Sequence, residues 1–294
     1  MKNLDLSTLP AKKRKQIVSC LRAGIQLLYF LFLPSVFTAA FNGVKYIFTQ
    51  LGQGEKIEMT AFVSALLLVC AFTIVFGRFF CGFACAFGSL GDAMHAIYGI
   101  ICKKRKKKPI RIKPELAKKL ALVKYGILLL IALCCFAGVY QKARGTSPWD
   151  VFSMLHAGNF RLSSYIPGIV LLVLILVGMF FEERFFCHFL CPMGAVFSLL
   201  PILPFFTLHR KRENCIRGCS ACTRQCPSAV ELPSDGYVEI SGDCFQCQKC
   251  IDTCPKGNIR CGVKELHGNE ILFTLFRACL LYTSDAADDR ISVD

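Results

Sequence analysis

Apolar residues run along this chain in long unbroken blocks, not at the three-and-four spacing of a surface helix or the alternation of a half-buried strand. Four blocks, residues 17–40, 59–77, 120–140 and 165–181, approach the roughly 20 residues that cross a hydrocarbon layer. The pattern predicts about four transmembrane helices. The first block is too long for a cleavable signal peptide, and no small-residue cleavage site follows it. A fifth apolar stretch, FSLLPILPFFTL (197–208), is short and broken by two prolines, so it reads as a re-entrant or interfacial segment.

The blocks come in two pairs, and each pair ends on the same words: RFFCGFACAFG at 78–88 and RFFCHFLCPMG at 184–194. Seven of the eleven positions are identical, at an offset of 106 residues. A match of this kind marks an internal repeat. Both copies follow the second span of their pair, so they fall on the same side of the membrane, as two parallel repeats related by an axis along its normal.

Charge fixes which side that is. The chain carries a net +15, which alone would admit nucleic acid as a partner. Its placement argues otherwise. Five Lys/Arg precede the first span and ten lie in residues 103–119, against two in 41–58 and three in 141–163. This is positive-inside asymmetry facing anionic lipid, and nucleic acid is not expected as a partner. The expected location is a bacterial inner (cytoplasmic) membrane, multi-pass, with the N-terminus, both RFFC copies and everything after residue 208 cytoplasmic. A hydrophobic content of 54% and a mean hydropathy of +0.49 agree with a membrane chain.

The domains follow from these boundaries: a basic N-terminus (1–16), a membrane domain of two repeats (17–208), a cysteine-dense module (209–263) and the start of a further span (264–282). The tail 283–294 is unlike the rest and is expected to be non-native, with the natural chain continuing into more membrane segments.

The chain has nineteen cysteines, and the topology places most of them on the reducing side, where structural disulfides are disfavoured; their spacing points to metal. The module reads CIRGCSACTRQCP (215–227) and CFQCQKCIDTCP (244–255). The second run is the bacterial C-x2-C-x2-C-x3-C-P spacing, in which three cysteines wrap one cluster and the fourth serves the other. Cys244, Cys247 and Cys250 are therefore expected to hold one [4Fe–4S] cluster with Cys226, and Cys215, Cys219 and Cys222 a second with Cys254. The first run departs from the pattern, with three residues between Cys215 and Cys219, and Gly218 suits a looped-out residue there. Zinc ribbons also use paired C-x2-C, but need no Cys-Pro ending. Cys20, Cys70, Cys102, Cys134, Cys135, Cys261 and Cys279 read as buried or spare thiols.

Two C-x3-C(P) membrane motifs followed by a two-cluster module resemble the NapH/NosR-type family of membrane polyferredoxins. The likeness spans about residues 17–263 and includes GRFFCGFACAFGSLGD and RFFCHFLCPMG; the first motif has Ala86 where the family usually has proline. The resemblance implies an α-helical membrane protein with a small α+β ferredoxin-like module carrying two [4Fe–4S] clusters. It also implies electron transfer between the quinone pool, or a cytoplasmic donor such as soluble ferredoxin, and partner redox subunits. The chain would then be a subunit of quinol dehydrogenase type, not a stand-alone enzyme. Some relatives act instead in maturation or regulation of other redox enzymes.

The motif cysteines leave three readings open. If the motifs are helical, i and i+4 place Cβ atoms about 5–6 Å apart, too far for an unstrained disulfide at about 3.5–4.5 Å. Across the repeat axis, however, Cys81, Cys85, Cys187 and Cys191 supply four thiols, the ligand number of one further iron–sulfur cluster. A thiol/disulfide pair and a purely structural role are the competitors. Arg78 and Arg184 favour thiolate beside them, while Asp92, His95 and His188 are polar neighbours. No histidine lies in any of the four blocks, so haem is not expected. In TSPWDVFSMLHAGN (146–159), Asp150 and His156 suit a quinol site, against the plainer reading of an interfacial helix anchored by Trp149. A transporter has little support, and no Walker loop, nucleophile elbow or dinucleotide fingerprint occurs.

Overall fold

The computed structural model describes residues 11–32, 36–107, 109–140, 145–160, 165–203, 206, 208–210, 215–228, 230, 242–261 and 270–291. The expected basic N-terminal segment, apart from 11–16, lies outside this set, as does much of the span between the two cysteine runs.

The described chain is mostly helical. In the first half, α1 (Ala11–Phe32) is followed by α2 (Val36–Gln53) and α3 (Ala61–Phe76), then by a π-helical turn, Phe80–Ala84, and α4 (Ala86–Lys104). A connection through α5 (Pro114–Leu120), α6 (Val123–Phe136) and the short α7 (Pro148–His156) leads to the second copy. That copy comprises α8 (Ile166–Phe181), a second π turn Phe186–Leu190, and α9 (Pro192–Leu199). The module contains β1 (Leu208–Arg210), α10 (Ala221–Gln225), α11 (Lys249–Thr253) and β2 (Ile259–Cys261), and α12 (Glu270–Ile291) follows. The two strands pair antiparallel, Leu208 opposite Cys261 and Arg210 opposite Ile259. Helix α12 runs on past residue 282 without a break, across the boundary expected there.

The apolar blocks map onto helices, though not one to one. Block 17–40 is divided between α1 and α2, which are bent by 62° relative to each other; Pro34 falls between them in sequence. The stretch Glu115–Phe136 is 22 residues long and apolar enough to cross a membrane, whereas α3 and α8 are apolar helices of only 16 residues. Their outward residues, such as Leu67 on α3, Leu129 and Leu133 on α6, and Val173, Leu174 and Val177 on α8, are exposed. A soluble monomer seldom presents so continuous an apolar surface.

The repeat is structural as well as textual. In each half an apolar helix runs into a five-residue π turn, and a cysteine in extended conformation then starts the next helix (Cys85 φ −66°, ψ 122°; Cys191 φ −73°, ψ 114°). In each, the amide of that cysteine donates to the carbonyl of the phenylalanine five residues earlier, 2.9 Å from Cys85 N to Phe80 O and from Cys191 N to Phe186 O. Pro192 opens α9 in its first turn, yet Ala86 opens α4 with the same bend, so the proline is not what makes the turn. Single π turns inside helices recur at functional sites. The halves interlock: α4 packs on α8 and α2 on α6.

The core lies between the halves. Phe37, Phe41, Phe87, Phe152, Trp149 and Phe186 form one aromatic cluster, with Trp149 set edge-on to Phe41 at 5.0 Å. Trp149 is buried there and is not an interfacial anchor; Ser147 caps α7 by accepting from Asp150 N. The 244–247 loop of the module enters the same core. Gly82 in the first π turn faces the Phe245 carbonyl so closely that a methyl group would collide with it, while Gly99 on α4 has open space.

Gly82→Val should therefore lift the 244–247 loop off the membrane half, while Gly99→Ala should not. Limited proteolysis in detergent is expected to release the module from the Gly82 variant several-fold faster than from parent or Gly99→Ala. Equal cleavage rates would contradict this packing.

Candidate iron–sulfur sites at the repeat axis and in the module

The sequence places the four motif cysteines 106 residues apart in pairs; the fold brings them together. Cys81 sits in the first π turn and Cys187 in the second, while Cys85 and Cys191 are the residues that cap the following helices. They are therefore not i and i+4 on one regular helix, because a π turn and an extended residue separate each pair. All four are buried, each lies within electrostatic reach of the other three, and none forms a disulfide. The Cys191 sulfur accepts from Gly194 N at 3.2 Å.

Two arginines cross the axis in opposite directions. Arg184, from the second motif, donates to the carbonyls of Cys81 and, at 2.9 Å, Gly82 in the first. Its guanidinium also pairs with Asp92 on α4, with 3.1 Å from Nε to Oδ1. Gln26 on α1 closes this network by donating to Asp92 Oδ2 (2.7 Å) and to the Gly82 carbonyl (3.2 Å). Arg78, from the first motif, reaches the second: a Cβ at Gly194 would lie 2.9 Å from its NH2, as one at Gly88 would lie 3.0 Å from Arg184 NH1. The motif glycines are thus the space into which the opposite arginine reaches. Arg78 is 1% exposed, yet its Nε and NH2 atoms have no hydrogen-bond partner.

Burial decides the protonation of this site. It pushes the Cys187 thiol up to about 12, although Arg184 and Arg78 pull in the other direction. It raises Cys85 and Cys191 as well, reinforced by the neighbouring sulfurs. The two arginines do not by themselves give thiolates, contrary to expectation. A buried cationic pair with unsatisfied donors beside four thiols fits an anionic, thiolate-ligated group. Cys81, Cys85, Cys187 and Cys191 would hold it, with Arg78 donating to it. His188 is buried within the second motif, its ring 4.3 Å from Phe189, and burial lowers its pKa to about 4. His95 lies against Tyr98, 5.9 Å between centroids, with Nδ1 buried and without a partner.

In the module, Cys226, Cys244, Cys247 and Cys250 line one cavity together with Cys222, Pro227 and Phe245. This cavity contains the whole set expected for the first cluster. Of the second set, Cys215 and Cys254 are tied together by Asn258, whose Nδ2 lies 3.4 Å from the Cys215 sulfur and whose N lies 3.3 Å from that of Cys254. Cys222 is buried and receives Arg210 NH1 at 3.6 Å, while Cys219 is exposed. Gly218 adopts φ +74° with nothing around it, so the extra residue of the first run is accommodated in a left-handed turn. Among the described residues no three His, Cys, Asp or Glu side chains close to the spacing of a single-ion site. Burial raises the Cys247 and Cys250 thiols, the latter also through the neighbouring sulfurs of Cys247, Cys244 and Cys226.

The two regions touch. Phe245, between two cysteines of the module, is packed between the motif arginines, with the guanidinium carbons of Arg78 and Arg184 at 4.7 and 5.6 Å from its ring centroid. Arg184 faces both Cys187 and Cys247. Asp243 pairs with Arg78 at 3.6 Å and with Lys124, and Lys249 pairs with the buried Glu183. Sequence reading missed Phe245, Asp243, Glu183 and Lys124. The signal for Lys124 was present, a lone cation inside an apolar block; Phe245 carries none, since a phenylalanine between cysteines looks like any other.

Removing the carboxylate of Asp92 should be costly. Despite burial, Arg184 and further donors hold its pKa at about 2, below the ordinary 3.8, so its contribution is full above 3.8 and is lost as pH falls toward 2. A depression of that size corresponds to about 2 kcal/mol. Asp92→Asn is expected to lower stability by at least that amount at neutral pH and to flatten the stability loss across this acid window. Thermal unfolding in detergent as a function of pH checks both, and a parent-like acid profile in the variant would contradict the assignment.

Comparison with known proteins agrees with the site. The profile of the 4Fe-4S binding domain family matches residues 59–109 and 166–207, the two segments that carry the repeated motifs. An uncharacterised protein of Methanocaldococcus jannaschii is 29% identical over 206 residues, covering 69% of this chain and 71% of its own. The ferredoxin-type protein NapH of Haemophilus influenzae is 24% identical, covering 71% of this chain and 70% of its own. The regulatory protein NosR of Pseudomonas aeruginosa is 23% identical over 69% of this chain, which spans only 29% of NosR. No solved structure matches. The repeat, the module and these relatives show the chain to be similar to the ferredoxin-type electron-transport proteins named NapH and NosR, with a 4Fe-4S binding-domain match over both motif segments.

Proposed function

We propose that this chain is a multi-pass membrane protein that conducts electrons between the repeat axis and its cytoplasmic ferredoxin-like module. The observation that carries the reading is the shared core: Cys187 and Cys247 both face Arg184, and Phe245 of the module packs against the same guanidinium within one continuous cluster. Iron–sulfur clusters, when bound, supply one-electron chemistry. The chain's own residues do the rest. Cys226, Cys244, Cys247 and Cys250 are the ligands nearest the membrane half, and Cys215, Cys219, Cys222 and Cys254 those farther out. Cys81, Cys85, Cys187 and Cys191 ligate a third group between the halves. Arg78, Arg184, Asp92 and Asp243 fix the positive charge around it and exclude water.

The proposed topology has four spans with the module on the cytoplasmic side, supported by the basic 103–119 segment and the exposed apolar faces of α6 and α8. The partners are redox subunits, with the quinone pool or a soluble donor at the other end, in the manner of a quinol dehydrogenase subunit. A second reading, an accessory or regulatory iron–sulfur membrane protein, is favoured by one observation, the likeness to a relative named as a regulatory protein.

Iron content and EPR of anaerobically purified, dithionite-reduced protein test the proposal beside a Cys81→Ser/Cys187→Ser variant. Two cubane clusters alone give about 8 iron atoms per chain. The parent is expected to exceed this and the variant to fall to it, with the module's signals retained. Equal iron near 8 in both would remove the repeat-axis site, and iron near zero would overturn the electron-carrier reading. Cluster reduction by a redox partner at turnover rates, present in an electron-transfer subunit and dispensable in an accessory protein, separates the two readings.

A further inference from the structure

Resting on that reading, we propose that the outer edge of the module, around Cys219, is the docking surface for a soluble one-electron carrier protein with an acidic face. The module is strongly two-sided. Its 244–247 loop is buried in the membrane half, with Phe245 2% and Cys247 8% exposed. The turn 215–220 is instead open to solvent: every residue from Ile216 to Ser220 is exposed, Cys219 among them. This is the place where a ligand cysteine of the module reaches the surface, and so where an outside carrier approaches most closely.

The described exposed charges of the module carry one sign. Among the described side chains of the module, those that are charged and exposed are Arg217, Arg224, Lys256 and Arg260. Asn258 links Cys215 and Cys254 and so brings the turn of Arg217 beside that of Lys256. Asp243, a described carboxylate of the module, is turned away and tied to Lys124 and Arg78 in the membrane half. Ile216, 48% exposed, adds an apolar contact at the centre of this basic rim. An exposed apolar residue within a ring of like charge is the layout of a transient interface that relies on electrostatic steering and low contact area. Anionic lipid has the same charge as the acidic carrier, and the vesicle arm of the test below separates the two. The transfer served is outer-sphere: the carrier loses or gains one electron, this chain gains or loses one, and no bond is made.

The test uses the full-length protein in detergent and an oxidised acidic plant-type ferredoxin as probe, with affinity measured by calorimetry at low and moderate salt. Arg217→Glu/Lys256→Glu is expected to weaken binding at least about tenfold at low salt and to remove most of its salt dependence. Lys56→Glu, an exposed cation on the α2–α3 connection, should change neither. Parent-like affinity in the double variant, or an equal loss in Lys56→Glu, would overturn the docking surface. So would a double variant that keeps ferredoxin affinity but loses capture by phosphatidylglycerol vesicles, which would assign the face to lipid. Iron content and dithionite-reduced EPR of all three proteins are recorded alongside. Iron near zero in the parent defeats the electron-carrier reading itself, whereas intact clusters with unaltered ferredoxin affinity defeat only this surface.

Discussion

The crossing of Arg78 and Arg184 is the constraint on which the rest of the molecule depends. Each arginine begins one motif and ends in the other, so neither half can build its site alone. Arg184 ties the backbone of the first π turn to α4 through Asp92, and Arg78 ties the second motif to the module through Asp243. Both guanidiniums are almost fully buried. Buried charges of this kind are tolerated only where partners satisfy them, and removing one partner costs several kcal/mol. The orphaned donors of Arg78 leave room for the negative group proposed at the axis.

That constraint explains the small residues around it. Gly88 and Gly194 are required because a guanidinium occupies the space a side chain would fill, and Gly82 because the Phe245 carbonyl lies against it. It also explains why the module is not a tethered appendage. Phe245 between two arginines, Lys249 on Glu183 and Asp243 on Lys124 make the membrane half and the module a continuous core. The same pattern recurs at α12, where Arg277 is held between the rings of Phe79 and Phe273 at 4.3 Å each. A cation inside an apolar helix finds aromatic faces where no carboxylate is at hand.

Much of this was legible before any coordinates. The repeat, the convergence of Cys226, Cys244, Cys247 and Cys250 on one cavity, and the left-handed turn at Gly218 follow from spacing, because cysteine spacing and turn chemistry are local. The π turns were not legible: their sequence is as apolar as a helix, and the five-residue register is set by packing across the axis. The division of block 17–40 into two helices was hidden for a related reason, since hydropathy reports solvent and not direction. Trp149 was misread because an aromatic beside polar residues looks interfacial until Phe41 and Phe186 are seen to cover it. The arginines were read correctly as neighbours of the cysteines but not as their crossed braces, a long-range fact no window contains.

The central claim is that four cysteines from two repeats form one site beside the module. Its most direct measurement is a cryo-EM map of the anaerobically purified protein. The account predicts metal-cluster density enclosed by Cys81, Cys85, Cys187 and Cys191, separate from that of the module and with Phe245 between them. A map in which these four side chains diverge, or pair as disulfides with no density at the axis, would contradict it.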